Sequence, residues 1–240
     1  MSSENRKRIL ARVRGAARGM GADAVARELA GLGRSPAAHQ LDADSVVNFM
    51  TNVLRNHGTL ALAEDRREAV KGIGQYLYKH FRAHRLVAGN EPHLAAMPWR
   101  EGGVLPRFGE LEPGEKAALS YADWGIAETG ATVLLSGKHN PPANHLLPEH
   151  HIVLVERARI LPDMESFWSR QDWHRGQRPR GIYCIAGPSS TGDIEARLVY
   201  GAHGPQAWHV IVIGKTPPQL LETALELARA AEAPGDRPRD

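Results

Sequence analysis

Cysteine is almost missing from this chain: Cys184 is the only one in 240 residues. An intramolecular disulfide is therefore impossible, and no iron–sulfur cluster or zinc site can be built from cysteines of one copy. A redox cofactor of that kind would have to sit on a partner, so no cofactor is expected on this chain. No apolar run approaches the roughly 20 residues of a membrane-spanning helix, which excludes a membrane role of that type. The opening Met1-Ser2-Ser3-Glu4-Asn5-Arg6-Lys7-Arg8 is charged and has no apolar stretch ahead of a cleavage site, so a secretory signal is not expected. The resulting expectation is a soluble, cytoplasmic protein. Also lacking are a Gly-x-Gly-x-x-Gly dinucleotide turn, a phosphate-binding Walker loop, a Gly-x-Ser-x-Gly nucleophile elbow and any internal repeat.

What remains is ordinary globular composition, 42% hydrophobic and 24% charged. The net charge of +3 is too small to argue for nucleic acid by itself. The basic residues concentrate at Arg6, Lys7, Arg8, Arg12, Arg14 and Arg18, on an expected helix over 4–31 that glycines interrupt. That segment reads as a solvated or partner-docking face more readily than as a nucleic-acid arm. A Gly/Ser/Pro/Ala-rich linker follows. The expected organisation is a helical segment and linker over 1–40, an α/β domain over 41–232 and a polar tail over 233–240.

Within 41–232, helices alternate with short apolar strands, the pattern of an α/β layered domain with a largely parallel sheet. Helices are predicted over 46–57, 64–83, 161–173 and 217–232, and strands at 59–63, 85–89, 131–135, 152–155, 182–186 and 208–213. Residues 90–117 show little periodicity, and an irregular excursion of that length inside a compact domain is often functional.

Three stretches carry chemistry. In Gly181-Ile182-Tyr183-Cys184-Ile185-Ala186-Gly187-Pro188-Ser189-Ser190-Thr191-Gly192-Asp193-Ile194-Glu195, an apolar strand runs into a hydroxyl-rich turn. If the turn lies at a strand's carboxyl end, its amides and hydroxyls would suit an anion, a small carboxylate or a phosphorylated ligand. The alternative is a capped connection, with Ser190 or Thr191 as N-cap of a short helix opening at Asp193. Ser189, Ser190, Thr191, Asp193, His203 and Gly204 are the candidate anion-binding residues, the last two from the turn Gly201-Ala202-His203-Gly204-Pro205, which is expected to lie beside the first. Cys184 is expected to be an inert core thiol. In the second stretch, Glu128 precedes Thr129-Gly130, where glycine permits close backbone approach. It is either a nucleophile or base, or the cap of a turn. Asp123 reads as an N-cap or a strand-end carboxylate. In the third, His139, His145, His150 and His151 share one loop with Glu149, at spacings that match no familiar zinc pattern. No metal is assigned there, and a histidine-rich wall for an anion is preferred.

Taken together, Ala122-Asp123-Trp124-Gly125-Ile126-Ala127-Glu128-Thr129-Gly130, Leu147-Pro148-Glu149-His150-His151-Ile152 and the paired turns after Gly187 and Gly201 resemble the lactate-utilisation protein C group of the LUD-domain family. The resemblance runs over roughly residues 40–215. It departs from the family at Gly192, where alanine is usual, and at Asn144-His145, where relatives often carry Arg and Ser. It implies a Rossmann-like three-layer α/β sandwich akin to the phosphosugar-isomerase and CoA-transferase group, here with an N-terminal helical appendage. It also implies participation in oxidising L-lactate to pyruvate alongside iron–sulfur partner proteins, as an accessory or ligand-binding subunit. A free-standing acyl-CoA or phosphosugar enzyme using Glu128 is the alternative that fold analogy offers.

Overall fold

The computed structural model describes residues 3–16, 19, 21–33, 44–171, 178–194 and 197–232. The chain divides into two units, Met1–Pro36 and Ala37–Asp240. The first contains α1 (Ser3–Ala16) and α2 (Ala22–Gly31), with Ile9, Val13 and Leu29 exposed.

The second unit begins its described part with α3 (Ser45–Arg55), β1 (Thr59–Ala63), α4 (Arg66–Phe81), β2 (Arg85–Ala88), α5 (Pro92–Ala95), β3 (Leu105–Phe108) and β4 (Ala117–Tyr121). There follow β5 (Trp124–Ile126), β6 (Ala131–Leu135), α6 (Ala143–Leu146), β7 (His150–Glu156), β8 (Ile160–Leu161), α7 (Met164–Ser169), β9 (Ile182–Ile185), β10 (Ser190–Ile194), β11 (Arg197–Tyr200), β12 (Ala207–Ile213) and α8 (Pro218–Glu232). Helix starts are chemically marked. Asp44, Asp65 and Asp163 each accept a hydrogen bond from a first-turn amide of α3, α4 and α7, satisfying donors that the helix cannot use itself.

The main sheet has the order β1-β12-β7-β4-β2-β3, and every neighbouring pair is parallel. Both faces must then be covered, which explains why β7 reads as a continuous apolar run. One face packs Leu119, Ile152, Leu154 and Ile211 against Val70, Ile73 and Leu77 of α4. The other packs Val153, Val155, Val210 and Val212 against α3 (Phe49, Met50, Val53) and α8 (Ala224). This is the expected three-layer α/β sandwich.

A second sheet, β8-β5-β6-β9, lends Leu134, Tyr183, Ile185 and Ile160 to the second core. Here the structure corrects the sequence reading. The Tyr183 strand lies at the edge of this small sheet, antiparallel to β6, outside the parallel sheet altogether. Cys184 is accordingly exposed, not a core thiol, although partial desolvation still raises its pKa. No helix opens at Asp193 either: Ser190–Ile194 is a strand, hairpinned with β11 through the pairs Ser190–Tyr200 and Thr191–Val199. The helix expected over 161–173 is shorter, Met164–Ser169, and residues 172–177 lie outside the described part. No helix of the described residues is long and apolar enough to cross a membrane.

Candidate functional site

The strand order places the site. From β2 the chain steps outward to β3 at the sheet edge. It then returns to the other side of β2 as β4, and β7 and β12 continue in that direction. The order therefore reverses between β2 and β4, and a crevice opens outside the carboxyl ends of two such strands. Gly89 follows β2 directly, and a Cβ there would lie 2.5 Å from the His139 carbonyl oxygen, so only glycine lets the 137–140 loop wall the crevice. Asn140, itself buried, ties that loop back by donating to the Leu135 carbonyl at 3.0 Å.

Glu91 and Asp123 lie just past β2 and β4. Burial, reinforced by the nearby Asp123 charge, pushes the Glu91 carboxyl up to about 8, and its Oε2 is buried with no hydrogen-bond partner. Asp123 is also raised by burial. A hydrogen bond that its Oδ2 accepts from the Leu135 amide (3.1 Å) and the charges of Arg159 and His93 work the other way. Two carboxyls in one crevice are thus held differently: at neutral pH Glu91 keeps its proton, while Asp123 has partners that favour its anion.

Around them stands a charged and aromatic frame. Tyr121, the last residue of β4, donates to the Glu156 carboxylate at the end of β7, and burial pushes the phenol up to about 12. His93 stacks on the Tyr121 ring, with centroids 4.9 Å apart and planes 15° apart. Arg66, at the start of α4, lies 3.7 Å from Glu156 and 3.3 Å from His93 Nδ1. Arg159 donates to the Asp123 carbonyl at 3.2 Å and covers the Trp124 ring. The arrangement offers a protonated acid, a carboxylate and two guanidinium groups, suited to a small polar ligand with both an anionic and a neutral oxygen.

The residues singled out from sequence fall elsewhere. The Ser189 and His203 turns do meet: the Ser189 amide donates to Pro205 O and its carbonyl accepts from the Gly201 amide, both at 2.8 Å. Gly204 is pressed against the Ser189 side chain, 2.9 Å from a built Cβ to Ser189 Cβ. They sit beside Glu149 at the amino ends of β7 and β12, whereas an anion elbow was expected at a carboxyl end. Ser190 and His203 are exposed, and Thr191 is half-buried in the β10–β11 hairpin. Asp193 lies in β10, its side chain outside the described part. Glu128 Oε1 accepts from the Met164 amide at 2.9 Å, capping the start of α7.

The histidine-rich stretch forms no open wall. His145 and His151 are fully buried, and both approach Ser120 Oγ at 2.9 Å. A hydroxyl has one proton, so it donates to one imidazole and accepts from the other. The far nitrogens, His145 Nε2 and His151 Nδ1, are buried without partners. Burial lowers both pKa values, that of His145 to about 4. Among the described residues no group of three or more His, Cys, Asp or Glu is arranged to hold a metal. Sequence reasoning missed Glu91, His93 and Arg66. The signal for the first two was the aperiodic 90–117 segment, and only the fold could show which of its residues face the crevice.

An open α/β sandwich with a polar crevice at its strand-order reversal defines the class of protein. The LUD domain profile matches residues 115–213, from the start of β4 to the end of β12, and this region belongs to that family. The chain is 36% identical over 110 residues to lactate utilization protein C of Halalkalibacterium halodurans, covering 42% of this chain and 47% of that one. It is 32% identical over 161 residues to lactate utilization protein C of Geobacillus thermodenitrificans, covering 65% and 62%. An uncharacterized Escherichia coli protein, YkgG, is 38% identical over 93 residues, covering 38% and 40%. The aligned stretch is thus less than half the length of the first and last of these relatives. A DUF162 family protein from Deinococcus radiodurans shares the fold, with a TM-score of 0.52 at 21% identity over 72% of this chain and 98% of that one.

Proposed function

We propose that this chain serves L-lactate utilisation as a cytoplasmic accessory subunit that binds a small organic acid and works beside iron–sulfur proteins. The observation that carries this reading is the similarity of the LUD region to proteins named lactate utilization protein C. The single cysteine agrees with it, since electron-carrying clusters would have to be supplied in trans. The crevice supports a ligand of this kind. Arg66 or Arg159 would pair with the acid's carboxylate, and the proton on Glu91 would be donated to its hydroxyl or oxo oxygen. Charge-assisted bonds of this sort contribute about 1.5–3 kcal/mol each, so a three-carbon acid would bind weakly, as suits a metabolite in rapid turnover.

The test is genetic and thermodynamic. Deleting the gene should abolish growth on L-lactate as sole carbon source, and the Asp123→Asn variant should restore that growth poorly. L-lactate or pyruvate should raise the melting temperature of the purified chain in proportion to the logarithm of its concentration. Unimpaired growth of the deletion strain on lactate would end the proposal.

A further inference from the structure

A large cleft lies on the opposite edge of the parallel sheet from the crevice. Its volume is about 830 Å³, and it is bounded by Arg85, Leu105 and Ala117, the first residues of β2, β3 and β4. That volume is within the range of pockets that enclose drug-sized molecules and is far more than a three-carbon acid needs. Its floor is apolar. Leu86 is buried, Phe81 is partly covered, and Leu105 leaves 60% of its surface open to the cleft and solvent. Nothing else among the described residues covers Leu105, which is unusual for a leucine in a parallel sheet whose other strands are sealed.

The charge on the walls is one-sided. Glu115 also lines the cleft, but Arg107 clamps it with Nε at 2.6 Å from Oε1 and a second bond from Nη2, so that the pair is neutral. Lys116 stands 3.4 Å from Glu149 and keeps 59% of its side chain exposed. Arg85, the register partner of Leu105, is exposed and makes no ion pair among the described residues. The cleft thus has an apolar shelf beside an unneutralised guanidinium and an ammonium. A ring wall completes it. His80 and Phe81 line the cleft, with Tyr76 4.3 Å from the His80 ring and His150 4.6 Å from that of Phe81.

We propose that this cleft is a second ligand site, for a mononucleotide-sized molecule: a flat ring system lying on Leu105 and Phe81, with its phosphate held by Arg85 and Lys116. The site is independent of the lactate reading and lies at the other end of the strands from Glu91 and Asp123.

Isothermal titration of the full chain with AMP tests it, with adenosine and inorganic phosphate titrated separately. AMP should bind at micromolar to submillimolar concentration, and adenosine and phosphate each at least tenfold more weakly. Arg85→Glu should weaken AMP about tenfold or more, the loss of roughly one charge-assisted contact. Leu105→Trp fills the cleft from an exposed position and should abolish binding while leaving the melting temperature unchanged. Lys71→Glu, exposed on α4 outside the cleft, should have no effect. No heat with AMP up to millimolar concentration overturns the proposal, as does AMP binding that neither Arg85→Glu nor Leu105→Trp reduces. Phosphate binding as tightly as AMP would equally overturn it, because the ring would then contribute nothing.

Discussion

Gly130 lies against the backbone of Asn52: a Cβ built on the glycine would stand 2.6 Å from the Asn52 carbonyl carbon, and its φ is +68°. The same asparagine donates its side-chain amide to the carbonyls of Ala127 (2.8 Å) and Glu128 (3.2 Å), and Asn56, one turn on, donates to Thr129 at 2.8 Å. The Glu128-Thr129-Gly130 turn is thus clamped onto the end of α3. Gly187, with φ +111°, abuts Asn56 in the same way. Two glycines of the family-like stretches therefore have a packing reason. Gly130→Ala should destabilise the protein by about 2–4 kcal/mol, since it combines a positive φ with a backbone overlap. Asn52→Ala should cost about 1–3 kcal/mol through unpaired carbonyls. Urea denaturation at constant m reads both, and a neutral Gly130→Ala would show that α3 does not hold this turn.

Glu128→Gln separates capping from chemistry. If the carboxylate only accepts from the Met164 amide, the variant should fold, lose about 0.5–2 kcal/mol and bind organic acids at the crevice as the parent does. Loss of a catalysed reaction with CoA thioesters on that substitution, at unchanged stability, would instead make Glu128 a nucleophile or base.

Glu91 should be a destabilising residue in the ligand-free protein. Its carboxyl is raised from 4.5 to about 8. Between those values the unfolded chain loses the proton while the folded one keeps it, so stability falls as pH rises across that window. Glu91→Gln keeps the neutral shape and removes the linkage. At pH 7 it should stabilise by up to about 3 kcal/mol, flatten the pH dependence above 5 and weaken acid binding. Calorimetric melting temperatures at several pH values check this, and a variant less stable than the parent at pH 7 would contradict it.

Acid should act through the buried histidines. His145 and His209 are lowered from 6.5 to about 4, and His151 falls well below 6.5, in each case mainly by burial. Their folded pKa values lie beneath the unfolded ones. The stability they allow is complete above 6.5 and is lost as pH falls toward 4, each site accounting for on the order of 3 kcal/mol. Ser120→Ala removes the hydroxyl shared by His145 and His151. It should cost about 2–3 kcal/mol at neutral pH, because two more buried nitrogens go unpaired. The midpoint of acid unfolding, followed by tryptophan fluorescence with Trp208 in the core, reports on both.

Much of the layered fold was readable before any coordinates. The apolar runs at 59–63, 152–155 and 208–213 are strands of the parallel sheet, and the 64–83 segment is the helix that covers one face. Burial on both faces leaves that mark on a sequence, because every side chain of such a strand must be apolar. The candidate site was less legible. Asp123 stood out as a strand-end carboxylate, but Glu91, His93 and Arg66 sit in stretches with no pattern of their own.

The sequence alone determined that this chain carries no cysteine-held cofactor, that it alternates helix and strand, and that its motifs run in the LUD order. These are properties of composition and of neighbours along the chain, which local physics can read. Tertiary structure decided which strand lies beside which. The Ile182–Ile185 run is as apolar as a parallel-sheet strand, yet it pairs antiparallel at the edge of the small sheet and carries its Ser189 turn to the amino ends of β7 and β12. Glu91 and Asp123 come together only because the strand order reverses between β2 and β4. A run of apolar residues states that it must be buried and not against what, so the meeting of two distant carboxyls is settled by packing and topology.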